Sequence, residues 1–273
     1  MRRPGTLTVY VWELRKLRAQ KRTYLGLGIV TAVPLIFVIS LGLRAGGPDG
    51  VAFGRYVHQS GLAIPLVILI FASAFLLPLA TALVAGDIVA AEDHNGTLKT
   101  ILTRSLDRGQ IFAGKLLAAL SYALLALVLM GTVATVAGSL ESGFNGLVSL
   151  SGTHISAPKA LELVYASFGI YLLPMLAIAS IGVLLSTTTR NSAGAVVGTV
   201  MVVLMLNLLN IVPGLGSLHD YLLPNQFDAW MGFLRTPIDW SPIVRAAWVS
   251  AIYAVPCVFA AYLVFLRRDV TGG

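Results

Sequence analysis

Residues 87–115 read DIVAAEDHNGTLKTILTRSLDRGQIFAGK and lie between two long apolar runs. Eight charged residues fall in this stretch (Asp87, Glu92, Asp93, Lys99, Arg104, Asp107, Arg108 and Lys115), in a chain with only 19 basic and 12 acidic residues. Charge that dense is costly in hydrocarbon, so the island is expected as a loop in water, and the runs flanking it as something else. Within it, Asn95-Gly96 reads as a turn. Leu98, Ile101, Leu102 and Ser105 then share one face of a short helix, with Lys99, Thr103 and Arg104 on others and Asn95 or Thr97 as its cap. Apolar and basic groups presented together on such a helix suit a soluble protein partner.

The rest of the chain is far too oily for a soluble domain. Hydrophobic residues make up 57% and charged residues 11%, against about 25% charged in soluble domains. Six segments reach the roughly 20 apolar residues that a membrane-crossing helix needs: Tyr24 to Leu43, Leu62 to Ala85, Leu116 to Leu140, Leu161 to Leu185, Ala193 to Val212, and Val244 to Leu266. Their only charges, Glu162 and Arg245, sit in first turns, where they can reach the interface. Barrel-type alternation is absent, so the expected fold is all-α integral membrane, a single domain over residues 1–273 with six transmembrane helices. Pro34, Pro65, Pro78, Pro174 and Pro256 lie within spans and are expected to kink them. Gly194 and Gly198 form a G-x-x-x-G that permits close helix approach.

Orientation follows from the basic residues. Fourteen of the 19 fall on the side of the N-terminus, the island, Arg190 and the C-terminus; the other side holds Arg44, Arg55, Lys159, Arg235 and Arg245. The positive-inside rule therefore places both termini and the island in the cytoplasm. The net charge of +7 is accounted for by these flanks, which argues against nucleic acid as a partner. Over residues 1–23, Leu7, Tyr10, Val11, Leu14 and Leu17 recur at helical spacing, with Glu13, Arg15, Lys16 and Arg18 on other faces. That pattern predicts an amphipathic helix along the cytoplasmic membrane surface. The long outer segment from Pro213 to Ile243, with Phe227, Trp230, Met231 and Leu234 on one helical face, reads either as short helices dipping into the outer leaflet or as a surface loop.

Few residues suggest chemistry. His58, His94, His154 and His219 are scattered over different loops without metal spacing, and Cys257 stands alone in an apolar run. Gly109 to Lys115 has the G-x-x-x-x-G-K spacing of a phosphate-binding loop, but Leu116 replaces the Ser or Thr that would hold magnesium and no strand precedes it. The chain is therefore expected to be no enzyme and to hold no cofactor of its own. Asn207 and Asn210 are the polar residues of interest within a span.

Glu92, Gly96-Thr97-Leu98, Arg108 and Gly114-Lys115-Leu116 resemble the loop signature of type-2 ATP-binding-cassette (ABC) transporter permeases. The resemblance extends to the Trp12-Glu13-Leu14-Arg15-Lys16 segment, the six spans and the closing Phe265-Leu266-Arg267-Arg268-Asp269. One departure is visible: the family commonly has a proline shortly before the arginine, where this chain reads Thr103-Arg104-Ser105. The resemblance implies an N-terminal amphipathic interfacial helix and a cytoplasmic coupling helix between spans two and three. It also implies short outer helices between spans five and six. Gly96 to Ser105 would dock on a separate ATPase subunit through Gly96, Thr97, Leu98, Ile101, Leu102 and Arg104. Glu92 would fix the loop, while Arg108 and Lys115 would meet acidic groups. ATP and Mg would be held by that ATPase, in an exporter completed by a second permease chain, identical or related, in a bacterial cell membrane. Spans two and five would border the substrate path, with Phe71, Phe75, Asn207 and Asn210 along it. Against this stand a secondary transporter or channel, which would need ionisable residues deep in the spans, and a non-transporting membrane scaffold.

Overall fold

The computed structural model describes residues 5–43, 46–48, 50–94, 107–212, 214 and 216–267. Ten α-helices are described: α1 (Thr6–Ala19), α2 (Lys21–Gly42), α3 (Ala63–Ala74), α4 (Leu76–Ala85), α5 (Ala90–His94), α6 (Arg108–Ser142), α7 (Ala157–Thr188), α8 (Ser192–Ile211), α9 (Leu223–Gln226) and α10 (Trp240–Arg267). Five of these (α2, α6, α7, α8 and α10) are long and apolar enough to cross a membrane, and a sixth span results if α3 and α4 count as one.

Span two is not the continuous helix that its composition predicts. It breaks at Phe75 (φ −147°, ψ −45°) and its two halves bend by 62°. The break falls where Pro78 predicts it: in a continuous helix its missing N–H would face the carbonyl of Ala74, the last residue of α3, and its ring would clash there. Pro65 sits in the first turn of α3, where a missing N–H removes no helical hydrogen bond. Pro34, Pro174 and Pro256 lie inside α2, α7 and α10, each assigned as one helix.

α7 is the centre of the bundle. It packs along α10 and also meets α4, α6 and α8. In its most apolar stretch 61% of residues are buried, against 17% in α8, which turns most of its surface outward. The close approaches that hold α7 and α8 to α4 are made by Gly86 and Gly182. A Cβ on Gly182 would lie 2.9 Å from Ala85 Cβ, and one on Gly86 would lie 2.9 Å from Val196 Cα. The G-x-x-x-G of α8 does less within the chain: Gly194 is exposed and would touch only Asn191, while Gly198 has an ordinary contact with Leu185.

α6 has 35 residues, about 52 Å at 1.5 Å per residue, against a hydrocarbon core of about 30 Å. It therefore starts well before the hydrocarbon, at Arg108 rather than Leu116. Asp107 accepts the Gly109 N–H at 3.0 Å and caps that start. Gly143, at φ +79°, ends the helix in a conformation that favours glycine.

The end of the bundle opposite α1 carries a folded cap. Leu147–Val148 and His154–Ile155 form a two-stranded antiparallel pair. Leu150 N donates to Leu234 O at 2.8 Å, which ties the pair to the short helices at 216–221, 223–226 and 229–234. Phe227, Trp230 and Leu234 are buried there, as their helical spacing predicts, whereas Met231 is half-buried.

Because Gly182 has no space for a side chain, Gly182→Leu should overpack the α4–α7 contact. A loss of about 1–3 kcal/mol is expected, read as a lowered thermal midpoint in detergent. An unchanged midpoint would contradict this packing.

Candidate functional site

The polar residues of the α1 end converge on one cluster. Lys115, on the second turn of α6, has no exposed surface at all. Its Nζ lies 2.6 Å from Glu92 Oε2 and 3.3 Å from Glu13 Oε1, and it donates to the Ile88 carbonyl at 3.1 Å. Three N–H donors thus meet three groups. A buried ammonium otherwise carries a desolvation penalty of several kcal/mol. Lys16, one turn on from Glu13 along α1, bridges the same carboxylates at 2.8 Å to Glu13 and 2.6 Å to Glu92. Two ammonium groups and two carboxylates therefore balance, and they join α1, α5 and α6.

The sequence puts Glu13 there for a local reason. It stands between Val9 and Leu17 at i±4, and these three are the buried face of α1. Gly114 lets that face approach α6 closely: a Cβ on it would lie 2.7 Å from Val9 Cγ1. The expected polar position of Glu13 is thus corrected, while Leu7, 73% exposed, and Val11 lie on sides of α1 that the bundle leaves uncovered. Burial by itself would lower the Lys16 pKa, yet Glu92 and Glu13 outweigh it and raise it above 10.5. A raised lysine pKa contributes stability in full below pH 10.5 and loses it only as pH rises through the higher folded value. Lys16 consequently keeps its charge throughout the physiological range.

A second node lies beside it. Asp87 is buried and pairs with Arg22 at the start of α2, and it also accepts from the Ser192 hydroxyl at the start of α8. Ser186 of α7 accepts the Val89 and Ala90 N–H groups, both at 3.0 Å, and so satisfies the start of α5. Arg108 donates to the Leu266 carbonyl at 2.7 Å, placing a cation on the last turn of α10. The Arg190–Asp93 pair, at 3.9 Å and with Arg190 69% exposed, adds little.

The charged island is thus not simply a loop in water. Its two ends are α5 and the first turns of α6, and Asp87, Glu92 and Lys115 are enclosed by their own chain. Lys115 has no surface left for a partner's acidic group. Of the residues read as coupling elements, Glu92 and Arg108 are placed as above, while Gly96, Thr97, Leu98, Ile101, Leu102 and Arg104 lie outside the described residues. The expected helix over 96–105 lies outside them too. What the geometry does give is both roots of that segment, Glu92 on one side and Asp107–Arg108 on the other, each bonded into the bundle.

The pathway candidates are placed separately. Phe71 and Phe75 are 53% and 48% exposed, the first one turn before the span-two break and the second at it. Asn207 donates to the Val203 carbonyl of its own helix at 3.0 Å. The Asn210 backbone carbonyl meets His219 Nε2 at 3.0 Å, and its side-chain Oδ1 is buried without a hydrogen-bond partner among the described residues.

Residues 11–207 match the family model described as "ABC-2 family transporter protein". The chain belongs to the ABC-2 transporter family. With its run of apolar helices it is a multi-pass membrane protein. The family match takes in Glu13, Lys16, Asp87, Glu92, Arg108, Lys115, Ser186 and Ser192, which build both nodes. Among known proteins, the chain is 34% identical over 140 residues to "Probable ABC transporter permease protein NosY" of Stutzerimonas stutzeri, covering 49% of this chain and 47% of that one. It is 24% identical over 210 residues to "Uncharacterized protein YhcI" of Bacillus subtilis (strain 168), covering 70% of this chain and 63% of that one. The chain therefore spans about half of the first relative and under two thirds of the second.

Lys115→Met would strand two carboxylates beside one remaining ammonium and should destabilise the protein by about 3–5 kcal/mol. Glu92→Gln combined with Lys115→Met leaves the neutral Glu13–Lys16 pair and should recover most of that loss. Thermal unfolding of both variants in detergent checks this, and a double variant no better than the single one would contradict the charge balance.

Proposed function

We propose that this chain is the membrane permease subunit of an ATP-driven ABC exporter. The observation that carries the reading is the anchoring of both roots of residues 95–106 by buried ion pairs and helix-end hydrogen bonds, in a chain of the ABC-2 family. A segment fastened so firmly at its base is suited to transmit force. The relative named as a probable ABC transporter permease agrees with this reading.

In this reading the α1 end faces the cytoplasm, as the 14-to-5 distribution of basic residues suggests. α3 and α4 form one span, giving six. Gly96, Thr97, Leu98, Ile101, Leu102 and Arg104 dock on a separate ATPase, which holds the ATP and Mg. Its closure presses on Glu92 and Arg108. Through Lys115 the push reaches α1, and through Asp87 it reaches α2 and α8. A second permease chain, identical or related, covers the outward face of α8 and the exposed Phe71 and Phe75, and these two with Asn207 and Asn210 border the path between the chains. This chain performs no chemistry; it binds substrate differently in two conformations. The helices moved are those that the two nodes join.

The test is co-expression with an ATPase carrying a G-x-x-x-x-G-K-[ST] motif. Glu92→Ala is expected to lower both co-purification and ATP-driven transport. Gly96→Pro should abolish transport while the membrane subunit still accumulates. Normal assembly and transport in both variants would remove the coupling assignment.

A further inference from the structure

Beside the charge cluster, a groove of about 760 Å³ opens between α1, α2 and α6. Arg15 and Arg18 of α1 stand at its rim, and Leu14, Leu27 and Leu125 contribute apolar wall. No acidic residue lines it. Both arginines are exposed, and neither makes an ion pair among the described residues, in contrast to Lys16 and Arg22 on the same stretch of chain. Thr23 also lines it, 6% exposed. Two such cations over an apolar wall suit an occupant that is anionic at one end and apolar at the other.

The place of the groove says what that occupant is. It lies where α1 turns into α2, which starts at Lys21 and is apolar enough to span. Tyr24 and Leu125 are both more than half exposed along its open side. An occupant must therefore carry negative charge at the level of α1 and hydrocarbon along α2 and α6. We infer that this groove binds one anionic phospholipid from the leaflet that α1 faces, its phosphate on Arg15 and Arg18 and one acyl chain against Leu27 and Leu125. The inference rests on the reading of α2 and α6 as membrane spans, not on the identity of the ATPase partner.

Each arginine close to an anionic headgroup is worth about a fivefold gain in binding, so two give about 25-fold. The test titrates the full-length chain in mild detergent with phosphatidylglycerol and with phosphatidylcholine and reads bound lipid by native mass spectrometry. Wild type is expected to retain one phosphatidylglycerol with about that preference. Arg15→Ala with Arg18→Ala should abolish the preference, and Arg15→Lys with Arg18→Lys should restore part of it. Leu125→Trp should displace the lipid with both arginines intact, while Arg267→Ala, outside the groove, should change nothing. Thermal midpoints guard against misfolding, and both arginines are exposed, so their removal should leave the midpoint unchanged without lipid. Equal binding of the two lipids, or wild-type retention in the double alanine variant, overturns the proposal. Displacement by glycerol 3-phosphate alone would make the site a simple anion site and also overturn it. A Leu125→Cys variant in a Cys257→Ala background that forms a disulfide between two chains would place a second copy in the groove instead. None of these readouts uses the ATPase, so failure here leaves the permease reading standing, and the reverse holds too.

Discussion

An ammonium group enclosed within an apolar bundle dictates how the α1 end of this protein is put together. Lys115 has no contact with solvent, and removing it from water costs several kcal/mol unless acceptors surround it. One acceptor comes from each of three places: Glu13 of α1, Glu92 of α5, and the Ile88 carbonyl just before α5. Loss of any one of them leaves the buried ammonium with an N–H unmatched in a poor dielectric. α1 is therefore a structural member of the bundle rather than a loose surface helix, and the roots of residues 95–106 are fixed by the same requirement. The second node at Asp87 extends the constraint to α2 and α8.

The two ends of the molecule are built on different physics. At the α1 end, ion pairs and helix-end hydrogen bonds join elements distant in sequence. At the other end, Trp230 and Phe53 pack with ring centroids 6.4 Å apart and backbone bonds tie the two-stranded pair to the short helices. Between them the close contacts are small-residue contacts at Gly86 and Gly182. Such packing carries no charge and suits the middle of an apolar bundle.

Much of this was legible in the sequence. Hydropathy located the five long helices, because a run of about 20 apolar residues has few alternatives. Helical spacing found α1 and the buried Phe227, Trp230 and Leu234. What escaped has identifiable causes. Pro78 marked a bend in span two, but the 62° angle between its halves has no signature in the composition. The burial of Lys115 and Asp87 came from charge compensation across elements far apart in the chain, which composition treats as solvation. Glu13 did carry a signal, its i±4 spacing to Val9 and Leu17, but charge was weighted above position. Glu92 was singled out by resemblance, yet its partners Lys16 and Lys115 were found only by geometry. For the segment 95–106 the structure adds the anchoring at both ends and nothing between them.

The cluster around Lys115 also sets an order of events in biosynthesis. Glu13 and Lys115 are separated by 102 positions, so the ribosome delivers α1 long before its counter-ion exists. Until α6 emerges, Glu13 has only Lys16, its neighbour on the same helix, to hold its charge. Once Lys115 arrives, seating it closes α1, α5 and α6 together in one step. The cluster thereby ties the first-made helix to the register of the third span: α6 inserted one turn too far in or out would not bring Lys115 to Glu13 and Glu92.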